Sequence, residues 1–354
     1  MCLYYRCKRL HLLFAGSGKG EAHVVKMKDI ALACGVSVST VSRALNGRTK
    51  ADGKTAHIRQ KARDMGYVPD AAARALKTRR SHNIGILYED RMDHEYFSLL
   101  LNELRASAEA HDNDMTFIRH SRHGEEGDYD ERARRRSLDG VVVVQADFNS
   151  ADIIRLAAGS IPTVVIDHAY EGCDCVMNDN RGGMEALVRY AWEKGHRKIA
   201  FIHGEDSVVT RERLAGFYKQ CAELGVRVPG EYILPGHFHN PRVCAQAVNA
   251  LMDGPDPPTC VLCPDDFSCI GALSALETRR MRVPQDVSLA GFDGIRLGRM
   301  MSPSLTSYRQ DAENLARSTI ALLLDAIEHP QTHRPRILTV AGAILPGETL
   351  GEAK

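Results

Sequence analysis

Most of the chain alternates short, continuously apolar runs with segments of helical periodicity. This alternation constrains the fold more than any other feature. Beyond residue 83 the apolar runs are 84–88, 141–144, 163–166, 198–202, 260–263 and 288–291. One of the intervening helical stripes runs through Phe97, Leu100, Leu101, Leu104 and Ala108. Strands that are apolar along their whole length belong to parallel sheets covered by helices on both faces. So many units predict an α/β core with two parallel, doubly wound sheets.

Charge is distributed unevenly along the chain. The 354 residues hold 46 Lys and Arg against 45 Asp and Glu, but residues 26–80 alone hold 13 against four. Beyond residue 80 the balance reverses, with 29 basic and 40 acidic residues. A short basic segment attached to a large acidic body indicates a head that binds a polyanion. Chance clustering of surface lysines is the alternative.

Residues 26–69 have the pattern of three short helices. Gly35 can take the left-handed conformation that ends the first helix, and Ser37 is a suitable N-cap for the second. Apolar stripes at helical spacing mark the first helix (Met27, Ile30, Ala31, Cys34), the second (Val41, Ala44, Leu45) and the third (Ile58, Ala62, Met65). Two helices joined by a tight glycine turn predict an all-α helix-turn-helix head.

The second helix carries a polar stripe opposite its apolar side. This stripe consists of Ser39, Ser42, Arg43 and Asn46. Short polar side chains let a helix approach base edges in the major groove, and Arg43 can donate two hydrogen bonds to a guanine. A small helical bundle with a solvated face is the alternative. The local positive charge favours DNA binding.

The segment Met27-Lys-Asp-Ile-Ala-Leu-Ala-Cys-Gly-Val-Ser-Val-Ser-Thr-Val-Ser-Arg-Ala-Leu-Asn46 resembles the DNA-binding head of the LacI family of bacterial transcription regulators (LacI/GalR type). The segment from Gly66 to Lys77 resembles it as well. The resemblance implies base reading by Val38, Ser39 and Arg43, and phosphate contacts or helix caps at Ser37, Thr40, Ser42 and Asn46. Val38 would either meet a thymine methyl or pack at the edge of the helix core. Lys26 departs from the family, which usually has Ser or Thr as the cap of the first helix.

Residues 70–83 are predicted to form a hinge helix and linker. A helix this short is marginal on its own even when rich in alanine. By resemblance it forms against DNA, where Ala73 and Leu76 enter the minor groove and Leu76 wedges between base pairs. A flexible linker with an isolated leucine is the alternative.

The remaining chain, 84–354, resembles the effector-binding core of the same family, which is similar to periplasmic sugar-binding proteins. The segments that carry this likeness are 179–183, 195–202, 211–217, 283–293 and 303–306. The resemblance implies two lobes joined by three connections, expected near residues 178, 307 and 330. The N-lobe would then comprise about 84–178 and 308–330, and the C-lobe 179–307 and 331–354.

Ligands of open parallel sheets bind beyond the carboxyl ends of the strands. By resemblance, a small polar effector such as a sugar would be held there by aromatic, Arg and Asp side chains, with Arg211 and Asp293 as the favoured pair. Asp266 could equally cap its own helix. The expected effector contacts are Tyr96, Phe97, Arg211, Phe238, Asp265, Asp266 and Asp293, with Asp147 and Asp179 as weaker candidates.

Other classes of function find little support. No G-x-S-x-G, H-E-x-x-H or complete phosphate-loop motif occurs, so no enzyme, cofactor or metal is expected. Cys260 and Cys263 would point to opposite faces of one strand, and so could not grip a metal together. A periplasmic-type sugar-binding protein is the alternative, but residues 1–25 lack a secretion signal and are expected to be a disordered leader or a start assigned too early.

The expected function is that of a ligand-responsive repressor of transcription in the cytoplasm, at the nucleoid. Two heads on a two-fold axis would read a pseudo-palindromic operator in double-stranded DNA, which requires a homodimer. The chain has no leucine heptads after the last expected core strand. A tetramer formed through a C-terminal coiled coil is therefore not expected.

Overall fold

The computed structural model describes residues 25–45, 52–67, 80–89, 94–118 and 129–354. It divides into two compact units, a head within residues 1–77 and a core within residues 78–354.

The head contains the three expected helices, α1 (Met27–Cys34), α2 (Val38–Leu45) and α3 (Gly53–Asp64). Their facing sides bury the apolar residues that the periodicity selected, together with partly buried neighbours. The fully buried set is Ile30, Ala31, Val41, Ala44, Ile58 and Ala62. The helical periodicity of this segment therefore predicted both the elements and the core.

The ends of α1 and α2 follow from local chemistry. Gly35 ends α1 with a left-handed backbone (φ 61°), and the Ser37 Oγ accepts a hydrogen bond from the Thr40 N–H at 3.2 Å. Both features were expected. Lys26 offers no side-chain cap to α1, but its own N–H donates to the Asp29 carboxylate at 2.8 Å. An acidic side chain in the first turn also suits the positive end of the helix dipole.

The N-lobe of the core is a parallel sheet of six strands in the order β11-β5-β4-β3-β1-β2. One face packs against α4 (Glu95–Glu109) and α12 (Ala312–Glu328), and the other against α5 (Tyr129–Arg135) and α6 (Ala151–Ala157). The strands are β1 (Asn83–Leu87), β2 (Asp114–Ile118), β3 (Gly140–Val143), β4 (Thr163–Ile166), β5 (Asp174–Asn178) and β11 (Ile337–Val340).

The C-lobe is a second six-stranded sheet, in the order β12-β10-β9-β8-β6-β7. Its faces are covered by α7 (Asn180–Glu193) with α8 (Val208–Glu223), and by α9 (Pro241–Asp253) with α10 (Asp266–Thr278). The strands are β6 (Ile199–His203), β7 (Ile233–Pro235), β8 (Cys260–Leu262), β9 (Ser288–Asp293), β10 (Thr306–Arg309) and β12 (Ala343–Leu345), with a short helix α11 (Arg296–Met300) after β9.

The expected architecture of two parallel sheets is confirmed, with one antiparallel edge, since β12 runs against β10. Gly216 brings two of the covering helices close together. A Cβ on Gly216 would lie 2.3 Å from the carbonyl oxygen of Arg181 in α7. Glycine at this position therefore lets α8 pack directly on the α7 backbone.

The third connection between the lobes differs from the expectation. It lies between Val340 and Ala343 rather than near residue 330, because β11 pairs with β5 in the N-lobe sheet before β12 joins the other sheet. Residues 331–340 therefore belong to the N-lobe. Ile337–Val340 is an edge strand with alternately exposed side chains. The sequence there lacks the continuous buried apolar run by which the other strands were predicted.

The cysteines behave as small apolar side chains. All eight that lie in the described ranges are free thiols. Cys260 packs with Phe201 and Phe292 on one face of the C-lobe sheet, and Cys263 packs with Cys244 on the other. The two side chains therefore lie on opposite faces of the sheet, as the alternation of side chains along a strand predicted.

His196 is a buried titratable residue that contacts the C-terminal segment. It is 2% exposed, and its ring nitrogens contact the Thr259 Oγ1 at 2.9 Å and the Gly351 carbonyl at 3.2 Å. Burial lowers its pKa from the usual 6.5. The folded chain therefore resists protonation there, while the unfolded chain takes up a proton below about pH 6.5.

We expect the melting temperature of the protein to fall as the pH drops below about 6.5, and His196→Gln to remove part of that fall. Glutamine keeps polar atoms at the site but takes up no proton in this range. Differential scanning fluorimetry of both proteins between about pH 5 and 8 checks this. Parallel curves would show that His196 contributes nothing to the pH dependence.

Candidate functional site

Helix α2 of the head presents a polar side to solvent. Val41 and Ala44 face the core, while Ser39 and Arg43 are exposed on the opposite side. The Arg43 guanidinium is therefore available to a partner. This placement is what a helix needs when it reads base edges in a groove.

The remaining head candidates lie close to that side. The Ser37 Oγ contacts both the Ser39 Oγ and the Thr40 Oγ1 at 2.9 Å, in addition to capping α2. Val38 is 47% exposed, so it lies outside the buried core, and Ser42 is half-buried. Asn46, and the hinge residues Ala73 and Leu76, lie outside the described residues.

In the core, Arg213 of α8 is the centre of a buried polar group between the lobes. It is 4% exposed, its Nε donates to the Asn180 Oδ1 at 2.9 Å, and its Nη1 donates to the Pro264 carbonyl at 2.6 Å. The guanidinium carbon lies 3.5 Å from the centre of the Phe292 ring and 5.4 Å from that of Phe238. Cation–π contacts of this kind hold a guanidinium in one orientation.

Three carboxyl groups, from both lobes, act electrostatically on this arginine. Burial lowers the pKa of Arg213. Asp293, Asp167 and Asp265 stabilise its charged form and so act in the opposite direction. Burial in turn raises the pKa of Asp293 well above 3.8 and that of Asp167 to a lesser extent. The group is thus a compact array of one cation and several acceptors in a poorly hydrated cleft.

Hydrogen bonds position each of these carboxylates. Asp167 accepts from the Asn178 backbone N–H and side-chain amide, both at 2.7 Å, and Asp293 accepts from the Gln310 amide at 2.5 Å. Asp265 caps α10 by accepting from the Ser268 N–H at 2.7 Å.

The alternative role of Asp266 as a helix cap is wrong, because Asp265 caps α10. Asp266 accepts instead from the Ser307 hydroxyl at 2.6 Å and the Ile295 N–H at 2.8 Å, which tie α10 to β10 and to the start of α11. Burial raises the pKa of Asp266 to about 7. This carboxyl therefore lies behind the polar group and supports its geometry.

Aromatic residues close the cleft. The Tyr96 hydroxyl donates to the Asn178 Oδ1 at 3.4 Å, and the His94 ring of the N-lobe stacks on the His239 ring of the C-lobe with centroids 3.8 Å apart. Phe238 lies over the arginine. Phe97 instead packs on Tyr88 within the N-lobe core, so the structure does not bring it into the polar group.

Four residues around this cleft have positive φ angles although they are not glycine, namely Gln145 (47°), Asp167 (60°), His239 (54°) and Asp293 (121°). Four other such residues lie elsewhere in the described ranges: His82, Asp112, Ser137 and Arg280. Conformations of this kind cost free energy and persist where the surrounding structure requires them. Asp293 has the most unusual backbone of the eight.

Three other candidates lie away from the polar group. Arg211 is 60% exposed and pairs with Asp206 at 2.5 Å, although it is near enough to His168 to lower the pKa of that ring, after the larger effect of burial. Asp147 is exposed and accepts from the Asn149 N–H within its own turn. Asp179 caps α7 by accepting from the Gly182 N–H at 2.8 Å.

Arg213 and Asp167 were not among the contacts expected from the sequence. For the arginine, a signal was available in the helical phase. Thr210, Arg213, Phe217 and Gln220 recur on the buried side of α8, whereas Arg211 is out of phase with them. Asp167 also carried a signal, because it directly follows the predicted strand 163–166 and so lies at the carboxyl end of a parallel strand.

None of the helices in the described ranges is both long and apolar enough to cross a membrane. Within the same ranges, no group of three or more His, Cys, Asp or Glu side chains is arranged to hold a metal ion.

Comparisons with known proteins match both units. Residues 26–70 match the model of bacterial regulatory proteins of the lacI family, and residues 188–350 match a periplasmic binding protein-like domain. The HTH-type transcriptional repressor PurR of Pectobacterium carotovorum subsp. carotovorum (strain PC1) is 31% identical over 308 residues, which are 85% of this chain and 90% of that repressor. CytR of Escherichia coli (strain K12), also an HTH-type transcriptional repressor, is 29% identical over 316 residues, 88% of this chain and 92% of the relative.

Solved structures share the fold. The lac repressor dimer bound to operator and the anti-inducer ONPF superposes with a TM-score of 0.76 at 22% identity, covering 92% of this chain and 99% of that one. The transcriptional regulator CelR in complex with cellobiose gives a TM-score of 0.66 at 23% identity, covering 92% and 99%. The predicted combination of head and core is confirmed, and the chain belongs to the lacI family of bacterial regulatory proteins, which are not enzymes.

Proposed function

We propose that this protein is a transcriptional repressor whose binding to operator DNA is controlled by a small polar effector. The outward placement of Arg43 and Ser39 on α2 is the observation that carries the DNA-binding half of the proposal. It also argues against a sugar-binding protein without DNA function, which would have no use for a basic helix-turn-helix head. The likeness to PurR, CytR and the lac repressor supports the same role.

The effector is proposed to bind in the cleft around Arg213, with Asp167, Asp265, Asp293, Tyr96 and Phe238 as its contacts. Aromatic faces suit a sugar or other ring, while the carboxylates and the guanidinium suit hydroxyl groups and heteroatoms. Arg211, at 60% exposure, would act only at the rim of this site. The complex of CelR with cellobiose is consistent with an effector of this kind.

The response to the effector would depend on contacts that cross between the lobes. The Glu95 carboxylate of α4 accepts from the Arg296 and Leu297 N–H groups of α11 at 2.8 and 3.1 Å, and His94 stacks on His239. An effector that binds one arrangement of the lobes more tightly shifts the population toward it. This shift would alter the spacing of the hinge segments, residues 70–83, and so the affinity for the operator.

We further propose that the protein acts as a homodimer in the cytoplasm, where its DNA target lies. Large apolar side chains exposed on the core favour self-association, which would bury them. Among them are Leu99, Phe267, Leu297 and Met300. Two heads related by a two-fold axis would read a pseudo-palindromic site.

Selection from a pool of randomised duplexes with the full-length protein tests this function. We expect the recovered sequences to converge on a near-palindrome with two half-sites, because each head reads one of them. Recovery of random sequences, or of no DNA at all, would contradict the proposal.

A further inference from the structure

The cleft around Arg213 holds more carboxyl groups than basic groups. Arg213 is the one Lys or Arg that is buried in the part of the chain that the structure describes. The carboxyl groups of Asp265, Asp293 and Asp167 all act on this arginine. One cation therefore meets carboxyl groups from three different residues.

The arginine is already partly engaged within the protein. Two of its five N–H groups donate to the Asn180 Oδ1 and the Pro264 carbonyl. The Phe292 and Phe238 rings lie against the guanidinium. Asp293, Asp167 and Asp265 also act on its charge, so three carboxyl groups share one guanidinium.

The carboxyl groups, in contrast, keep capacity to accept hydrogen bonds. Each carboxylate has about four lone-pair sites. The Gln310 amide occupies one of these sites on Asp293, and the two donors of Asn178 occupy two on Asp167. Asp265 has three sites occupied, by the Ser268 N–H, the Ser268 hydroxyl and the His239 N–H. The raised pKa of Asp293 and of Asp167 follows from burial, and a further negative charge brought to the same place would raise it again.

The mouth of the cleft does not reverse this balance. Arg211 is a basic residue near His168 there, and it pairs with the Asp206 carboxylate. On the same side, Glu205 accepts from the Phe238 N–H at 2.8 Å. Arg211 is thus already paired with a carboxylate and offers an anion no uncompensated positive charge.

We infer that the effector carries no negative charge and is rich in hydrogen-bond donors, as a neutral polyol, an amino sugar or an unphosphorylated nucleoside would be. Sugar acids, sugar phosphates and nucleotides are excluded by the carboxyl groups around Arg213. This inference rests on the proposed function, since it describes the molecule that would bind in the proposed effector cleft.

Two ions test the charge preference while the effector is still unidentified. Crystals of the full-length protein at about pH 8 are soaked in rubidium chloride or in sodium bromide, and the ions are located by anomalous diffraction. We expect a rubidium peak among Asp167, Asp265 and Asp293, and no bromide peak at Arg213. The variant Asp265→Asn/Asp293→Asn, soaked in the same way, should lose the rubidium peak.

Bromide bound at the Arg213 guanidinium would overturn the inference, and so would the absence of both ions from the cleft. A rubidium peak that persists in the double variant would also count against it, because other groups would then hold the cation. Gel-shift binding to the selected duplex is measured on the same preparation. Absence of operator binding contradicts the proposed function, whereas bromide in the cleft contradicts only the charge preference.

Discussion

Replacing Arg213 by leucine should both destabilise the core and abolish the response of operator binding to the effector. The substitution removes the one cation that acts on Asp167, Asp265 and Asp293, and it removes the donor of the hydrogen bonds to the Asn180 Oδ1 and the Pro264 carbonyl. A buried acceptor left without its donor typically costs about 1–3 kcal/mol. Thermal denaturation followed by circular dichroism measures the first effect, and operator titrations with and without effector measure the second.

Arg211→Leu is the matched control for that experiment. Arg211 lies two residues away in the same helix, but it is exposed and pairs with the exposed Asp206. Exposed ion pairs contribute little to stability. We therefore expect an almost unchanged melting temperature. If the two variants behave alike, Arg213 is not the centre of the cleft.

Replacing Arg43 by alanine should remove sequence discrimination at one base pair of each half-site. The guanidinium is exposed on the outer side of α2 and can donate two hydrogen bonds to a guanine. Loss of such a contact costs about 1–3 kcal/mol and relaxes specificity at that position. Binding of the variant to duplexes substituted singly along the operator, followed by fluorescence anisotropy, locates the position.

Arg63→Ala provides the comparison for this loss. Arg63 is exposed in the last turn of α3 and bonds to the Gln60 Oε1, so its removal takes away the same charge from the same unit. We expect it to preserve the order of preference among the substituted duplexes. Should Arg43→Ala also preserve that order, Arg43 does not read a base.

The elements of the fold that were predictable from the sequence are those whose determinants are local. The three head helices follow from apolar spacing, from Gly35 and from Ser37. Six strands were recognised because they are continuously apolar and fully or almost fully buried, as in the four-residue strand Gly140–Val143. Both patterns, the apolar spacing of helices and the apolar runs of strands, can be recognised within one short segment of the sequence.

Three of the six strands that were missed show why they could not be recognised locally. Asp114–Ile118 and Ile337–Val340 are edge strands with exposed positions, and Thr306–Arg309 buries hydroxyl groups instead of aliphatic side chains. The Thr306 N–H, for example, donates to the Thr349 Oγ1 in a segment 43 residues later. A buried polar strand of this kind gives no apolar run in the sequence.

The cleft was predictable in position but not in its members. The ends of the parallel strands located it, and Asp265, Asp293, Tyr96 and Phe238 lie there. To choose Arg213 over Arg211, one had to know which side of α8 is buried. The resemblance to the family did not supply that information. Asp167 is brought to the site by its pairing with Asn178 across two strands.

The most direct measurement of the central claim is the affinity of the full-length protein for its selected duplex as salt is increased, with and without a bacterial metabolite extract freed of macromolecules. We predict tight binding that weakens steeply and linearly in log-log form with salt, and that changes when the extract is added. Affinity that is indifferent both to salt and to the small molecules would contradict an effector-controlled, DNA-binding role.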